Sequence, residues 1–416
     1  MILTKSTLLS NKTITVSGSK SISNRLLILH ALFSNIRITN LSDSQDTKLL
    51  QAALENNSDT IDVHHAGTAM RFLTSFFAIR EGKTTILTGS DRMKQRPIKP
   101  LVDALKQLGA EIDYLENDGY PPLKITGHKL SGGEVKIQAN VSSQFITSLM
   151  LIGAKLENGI TIILEGKITS IPYLEMTLKI LRTIGISNSW ESDTIKVEPN
   201  IQTEKNSQII PFTIESDWSS ASYFYSLAAI GRNSISLKCF KPFSLQGDSA
   251  IRELYWEYFG VNTISEGAEA KISLLPESNC KYPERIELNM NACPDLAQTI
   301  CVTAAALKIS FHITGLETLK IKETDRLSAL QNELFKIGCL TETTDESIWS
   351  TNFIEPAANI SIETYTDHRM AMSFAPFCLL QELSIENEEV VQKSYPNFWA
   401  DLAQCLTPQT DLDEKQ

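Results

Sequence analysis

One plan recurs along this chain and constrains its fold more than any other feature. A short alternating run is followed by small polar and charged residues, then by about ten mostly apolar residues at helical spacing. The first copy reads Thr13 to Val16, then Ser17 to Arg25, then Leu26 to Phe33. Further copies begin near Ala66, Arg96, Ser142, Ser219, Pro294, Glu323, Asp367 and Ser394. Between them, Thr84 to Thr88, Gly159 to Leu164 and Ser234 to Lys238 alternate as strands with one buried face do. Strands and helices in alternation specify an α/β protein built from repeated units.

A single core stops growing at roughly 250 to 300 residues, so 416 residues predict two domains. The residues alone place the boundary in the polar stretch Asn200 to Ser207, ahead of a new strand at Pro211 to Ile214. The tail from Thr407 to Gln416 is polar and acidic and is expected to fray. With 42% hydrophobic and 21% charged residues the chain can bury substantial cores. Its net charge of −11 argues against nucleic acid and anionic membrane surfaces as partners, so any anionic ligand must be held by a local basic pocket. No run approaches the roughly 18 apolar residues a membrane span needs, and Met1 to Lys20 lacks the apolar region of a signal peptide, so a cytoplasmic protein is expected. The seven cysteines all lie in the second half without a Cys-x-x-Cys pair, which predicts free thiols. The histidines lack zinc-site spacing, and no metal is expected.

Chemistry-bearing residues gather where helices begin. A helix start offers free N–H groups and the positive end of the macrodipole, so it can bind phosphate or carboxylate in an acidic protein. Ser19, Ser21 and Ser23 surround Lys20 at one such start, with Arg25 one turn on; the segment is either an ordinary cap or an anion site. Gly67 and Thr68 precede an apolar helix, where a missing side chain lets a ligand approach the backbone. Met93 to Pro97 is expected to open a further helix, with Pro97 in its first turn and Arg96 just before it. Ser142, Ser143 and Gln144 offer hydroxyls and an amide that suit a sugar, a phosphate or a plain cap; Asp217 to Ser222 repeats the theme. Asp295 is either a helix cap or a general base, and Glu323 with Arg326 either a surface ion pair or part of a site. Asp367, His368 and Arg369 concentrate acid, base and guanidinium where a buried helix begins, which favours a site. Lys393 precedes the last helix.

In order, the segments GSKSISNR, AGTAMR, RPI, SSQF, SSAS, the Pro-Asp pair, KETDR, DHRMAM and KSYP resemble the 3-phosphoshikimate 1-carboxyvinyltransferase family of enolpyruvyl transferases, from Gly18 to Pro396. The resemblance implies two similar domains, each of three βαβαββ units in an inverse α/β barrel-like arrangement, with the active site in the interdomain cleft. It places one domain, on the shikimate 3-phosphate side, at 19–214, and a discontinuous second domain, carrying phosphoenolpyruvate and catalytic residues, at 1–18 plus 215–416. It implies transfer of the enolpyruvyl group of phosphoenolpyruvate to the 5-hydroxyl of shikimate 3-phosphate, by a monomer, with no metal or organic cofactor.

By the same resemblance, Ser21, Arg25, Ser142, Ser143, Ser170, Tyr173 and Lys322 hold shikimate 3-phosphate. Lys20, Gly67, Arg96, Gln144, Arg326, Arg369 and Lys393 surround phosphoenolpyruvate, with Lys20 and Gln144 near both. Asp295 is implied as the base on the 5-hydroxyl and Glu323 in proton traffic at the methylene carbon, with His368 and Lys20 as further acids. The chain departs from the family pattern in having His65 and Thr318 where asparagine is usual, in a short stretch from Ser42 to His64, and in Trp218 and Phe72. UDP-N-acetylglucosamine enolpyruvyl transferases, the nearest alternative, employ a cysteine in the first domain, and here every cysteine follows residue 238. A non-catalytic binding protein of the same descent is the alternative from another class; the retained Lys20, Asp295, Glu323, Arg326, Arg369 and Lys393 argue against it.

Overall fold

The computed structural model describes residues 1–140, 142–200, 208–267 and 270–409. Residues 201–207 of the expected linker and 410–416 of the acidic tail lie outside them. The chain divides into two compact units, Ser19–Ile214 and Met1–Gly18 with Glu215–Gln416.

The unit Ser19–Ile214 holds helices α1 (Lys20–Leu32), α2 (Gln45–Glu55), α3 (Gly67–Ala78), α4 (Lys99–Gln107), α5 (Ser143–Gly153) and α6 (Ile171–Thr183). Its two four-stranded sheets share one topology. Thr60–Asp62 runs parallel to Thr84–Thr88, which pairs antiparallel with Leu123–Thr126 and, through it, Glu111–Tyr114. Gly133–Gln138 and Ile160–Glu165 repeat this with Thr194–Val197 and Asn188–Glu191. The copy built on α1 and α2 contributes a two-stranded parallel sheet, Ile36–Thr39 with Ile210–Thr213. The short stretch after Ser42 holds only α2 and its loops before the strand at Thr60.

The other unit holds α7 (Trp218–Gly231), α8 (Ile251–Phe259), α9 (Ala297–Ala306), α10 (Arg326–Lys336), α11 (His368–Phe374) and α12 (Phe398–Cys405). Arg285–Asn289, Ser310–Thr314, Ser347–Phe353 and Cys339–Thr343 form a sheet of the same topology. So do Lys12–Thr15, Ile235–Lys238, Lys271–Pro276 and Val261–Glu266, the first strand being supplied from the N-terminal segment. The third copy is smaller, with Ile360–Ile362, Leu383–Ile385 and Ile2–Leu3 in one sheet.

In both units helices alternate in character. α3, α5, α7, α9 and α11 are buried along nearly their whole length, and Arg71, His368 and Arg369 are the only ionisable residues other than tyrosine and cysteine they carry. α4 and α10 are amphipathic and bury one stripe. α1, α3 and α5 pack on one another, as do α7, α9 and α11. Each buried Leu, Ile or Phe in these cores contributes roughly 1.5–3 kcal/mol, so the inner helices are rigid platforms for whatever their first turns carry.

Caps fix where those platforms begin. The side chains of Ser19, Ser142, Asp217, Asp325 and Asp367 accept from backbone N–H groups at the starts of α1, α5, α7, α10 and α11. The expectation at Pro97 needs correcting: α4 begins at Lys99 and Pro100 occupies its first turn. Pro97 instead disfavours helical backbone at the residue before it, and Arg96 is extended, with φ −94° and ψ 124°. Among the described residues no helix is long and apolar enough to cross a membrane.

Candidate active site

In the unit Met1–Gly18 with Glu215–Gln416, the sites suspected from sequence become one charged cluster. Asp295 lies in a 3-10 turn ahead of α9, Lys322 and Glu323 in the loop before α10, Arg326 and Arg369 in the first turns of α10 and α11, and Lys393 at the end of a 3-10 turn. Arg326, 2% exposed, is the hub. Its Nε donates to Asp367 Oδ2 at 2.6 Å, Nη1 to Asp295 Oδ1 at 2.9 Å and Nη2 to Glu323 Oε2 at 2.9 Å. Glu323 and Arg326 are thus part of a buried network and not the surface pair their spacing allows. Arg369 donates from Nη2 to Asp295 Oδ2 at 3.0 Å and from Nη1 to the Asp295 carbonyl at 3.1 Å. Lys322 Nζ stands 3.6 Å from Asp295 Oδ1, and Lys393 Nζ donates to Glu323 Oε1 at 2.6 Å. Four cations against three carboxylates leave one net positive charge.

The Asp295 carboxylate pairs with Arg326, Arg369 and Lys322, which makes it more than a helix cap. Burial opposes its ionisation, but Arg369, Lys322 and Arg326 outweigh burial and Glu323, and hold the carboxyl well below the usual carboxylate range. It retains 20% side-chain exposure, so a ligand can reach it. His368 is buried, its Nδ1 3.6 Å from Asp367 Oδ1. Thr318 is also buried, in the 3-10 turn Glu317–Ile321, and its hydroxyl has no hydrogen-bond partner among the described residues.

In the unit Ser19–Ile214 the candidates fall into four groups. Arg25, 3% exposed, donates to the carbonyls of Ser21 at 2.8 Å and Tyr173 at 3.3 Å and to the hydroxyls of Thr177 and Thr147. Burial lowers its pKa to about 10, against the influence of Tyr173, so it stays a cation at neutral pH. Arg25 thereby joins α1, α5 and α6. Ser170, at the start of α6, holds left-handed backbone at φ 55°, the strained geometry common where side chains are aimed at ligands. Lys20 Nζ donates to Asp46 Oδ2 at 3.3 Å, and His65 Nε2 lies 3.9 Å from the other oxygen. Gln144 Nε2 donates to Thr68 at 3.2 Å, and Ser142 Oγ accepts from the Gln144 N–H. Ser143 opens α5 beside them.

At Gly67 the absent side chain leaves room for two guanidinium groups. A Cβ there would lie 2.6 Å from Arg96 Nη1 and 3.2 Å from Arg71 Nη1. Arg96, 8% exposed, and Arg71, 4% exposed, are therefore stacked over the start of α3. Arg71 also donates to the carbonyls of Gly67 and Pro97. The sequence points to Asp367 beside His368 and Arg369, but not to Asp46 or Arg71. Asp46 lies in the first turn of α2, where an acid complements its own helix, and Arg71 is one charge inside an apolar helix; only the isolation of Arg71 is a signal.

Buried arginines and lysines aligned with two carboxylates can bind a small polyanion and move protons beside it. No group of three or more His, Cys, Asp or Glu suited to a metal ion occurs among the described residues. Residues 50–402 match the family model EPSP synthase (3-phosphoshikimate 1-carboxyvinyltransferase). A 3-phosphoshikimate 1-carboxyvinyltransferase of Bacteroides fragilis is 45% identical, the alignment covering 94% of each chain. One of Buchnera aphidicola is 35% identical, over 94% of this chain and 95% of its own. Among solved structures, an EPSP synthase from Acinetobacter baumannii superposes with a TM-score of 0.70 at 22% identity, covering 96% of this chain and 97% of that one. The enolpyruvyl transferase NikO from Streptomyces tendae does so with a TM-score of 0.69 at 13% identity, covering 97% and 96%. The structures share the fold, and the family model and close relatives place the chain in the EPSP synthase (3-phosphoshikimate 1-carboxyvinyltransferase) family.

Proposed function

We propose that the chain carries out its family's reaction with Asp295 and Glu323 as the proton-moving pair, held in register by Arg326. The reaction transfers the enolpyruvyl group of phosphoenolpyruvate to the 5-hydroxyl of shikimate 3-phosphate and releases phosphate, a step of the shikimate pathway. The observation that carries the residue assignment is the Arg326 fork, which binds Asp295 and Glu323 through adjacent nitrogens at 2.9 Å each.

Chemically, the methylene carbon of phosphoenolpyruvate gains a proton while the 5-hydroxyl loses one and adds to the cationic carbon. Elimination then removes a proton from the new methyl group and expels phosphate. Asp295 is assigned as the base on the hydroxyl: it is ionised and partly open. Glu323 is placed as the group that gives and retakes the carbon-bound proton, and Lys393, 2.6 Å away, can replace the proton it delivers. His368 and Lys20 are further acids on this reading. Arg326, Arg369 and Lys393, with Lys20, Gly67, Arg96 and Gln144, receive the carboxylate and phosphate of phosphoenolpyruvate. Ser21, Arg25, Ser142, Ser143, Ser170, Tyr173 and Lys322 receive shikimate 3-phosphate, with Lys20 and Gln144 near both substrates.

In this assignment Ser19–Ile214 is the shikimate 3-phosphate side, and the discontinuous unit carries phosphoenolpyruvate contacts and the catalytic carboxylates. We further place the enzyme in the cytoplasm as a monomer; its seven free thiols suit a reducing compartment. Phosphate release in the presence of both substrates, and not of either alone, is the expected result. Binding of both by folded protein without turnover would favour a non-catalytic binding protein instead.

A further inference from the structure

Alongside the start of α7 runs a segment, Ser244 to Asp248, tied to it at three successive points. Ser244 Oγ and the Leu245 N–H donate to Glu215 Oε1 at 2.6 and 3.1 Å. Gln246 accepts from the Trp218 N–H at 3.0 Å and donates to the Ser216 carbonyl at 2.8 Å. Asp248 accepts the hydroxyl proton of Ser219. Glu215, Gln246 and Asp248 are 3%, 6% and 2% exposed, so these ties are shielded from water. The indole of Trp218 fills the space beside them, against Phe240 and beneath the Arg252 guanidinium.

The last tie leads into the charged cluster. A serine hydroxyl has one proton, and Asp248 takes it, so the Ser219 oxygen can meet a neighbour only as an acceptor. That neighbour is Arg369, whose Nη2 lies 3.5 Å from Ser219 Oγ and 3.0 Å from Asp295 Oδ2. The contact is long for a neutral acceptor, but a hydroxyl polarised by a buried carboxylate is a stronger one. The Cys293 thiol also faces both Asp248 and Asp295; burial first, then the two carboxylates, pushes it up to about 12, so it stays neutral between them. A buried carboxylate costs stability unless it is partnered, and here its partner leads to a substrate-facing guanidinium.

We propose that Asp248 and Ser219 are positioning residues that set the direction of the Arg369 guanidinium, and through it the affinity for phosphoenolpyruvate. This rests on the assignment of Arg369 to phosphoenolpyruvate above. The segment Ser244 to Asp248 is the brace that holds both residues in place. Its action runs through Ser219 to Arg369, a cation assigned to phosphoenolpyruvate.

The test compares Ser219→Ala, Ser219→Thr, Asp248→Ala, the Ser219→Ala/Asp248→Ala double variant and Arg369→Lys by steady-state kinetics with each substrate varied. Ser219→Ala is expected to raise KM for phosphoenolpyruvate about tenfold, equivalent to about 1.4 kcal/mol, with KM for shikimate 3-phosphate nearly unchanged. Ser219→Thr, which keeps the hydroxyl, is expected to restore most of the affinity. Asp248→Ala should act in the same direction, and the double variant should add little to either single one, since both break one chain of contacts. Equal effects on both substrates, or an unchanged KM for phosphoenolpyruvate in Ser219→Ala while Arg369→Lys raises it, would overturn the brace alone. An unchanged value in Arg369→Lys would overturn the assignment of Arg369 and this proposal with it. If Asp248→Ala does not fold, Ser219→Ala and Ser219→Thr decide the matter, because Ser219 is only half-buried.

Discussion

Replacing Arg326 with lysine keeps its charge and removes its shape. The arginine reaches three carboxylates at once, through Nε on Asp367 and Nη1 and Nη2 on Asp295 and Glu323. A lysine ammonium is a single point on a flexible stem and cannot span that fork. Settled on Asp367, the deepest of the three at 0% exposure, it would abandon Asp295 Oδ1 and Glu323 Oε2. Each charge-assisted hydrogen bond is worth roughly 1.5–3 kcal/mol, and breaking a buried pair costs about 3–5 kcal/mol. Asp295 retains Arg369 and Lys322, and Glu323 retains Lys393, which moderates the loss. About 3 kcal/mol is expected, which corresponds to roughly a hundredfold in kcat/KM. Phosphate-release kinetics and urea unfolding on the same preparation measure it. A kcat/KM within about fivefold of the parent enzyme, at unchanged unfolding midpoint, would refute the claim that the fork organises the catalytic pair.

The same cluster sets a pH dependence. Asp295 is depressed in the folded protein, so its ion pairs stabilise fully above the unfolded carboxylate pKa of about 3.9, and that contribution is lost as pH falls through the lower folded value. Acid unfolding of Asp295→Asn, followed by circular dichroism, should therefore show a shallower loss of stability below about pH 4 than the parent; an identical acid limb would contradict the pairing. Gly67→Ala should raise KM for phosphoenolpyruvate with little loss of stability, since its Cβ would sit 2.6 Å from Arg96 Nη1; an unchanged KM would show that Arg96 does not need that position. Arg25→Ala should weaken shikimate 3-phosphate binding and cost about 2–3 kcal/mol of stability, because four contacts linking α1, α5 and α6 disappear; calorimetry and urea unfolding check both. Iodoacetamide at neutral pH should leave activity intact, because burial raises the thiols of Cys293, Cys301, Cys339, Cys378 and Cys405; inactivation would implicate a reactive cysteine.

Sequence revealed the helix starts well because a helix start is a local event. Capping serines and aspartates, a glycine before an apolar run and charges ahead of a core helix are visible within a few residues, and α1, α5 and α11 begin as those signals indicate. What it concealed was pairing at a distance. Asp46 looks like an acid complementing its own helix, and only the packing of α1 on α2 brings it to Lys20. Asp367 stands out beside His368 and Arg369, but its sequence does not show that one oxygen caps α11 while the other meets an arginine 41 residues away. Pro97 and Pro100 both suit a helix's first turn, and only the fold shows that Pro100 takes it while Pro97 keeps Arg96 extended. The bland alternatives for Asp295 and Glu323 likewise fell only once three-dimensional partners were known.

Asp295→Asn is the direct test of the central claim, that Asp295 moves a proton in enolpyruvyl transfer while the surrounding cations bind. Asparagine keeps the size and one acceptor oxygen, which can serve Arg326 or Arg369 but not both, and it cannot take a proton. Single-turnover product formation with saturating substrates, measured beside calorimetric binding of shikimate 3-phosphate, separates the two roles. The account predicts a rate lowered by about two to four orders of magnitude with binding weakened only several-fold. Near-normal product formation by well-folded Asp295→Asn would remove Asp295 from the chemistry.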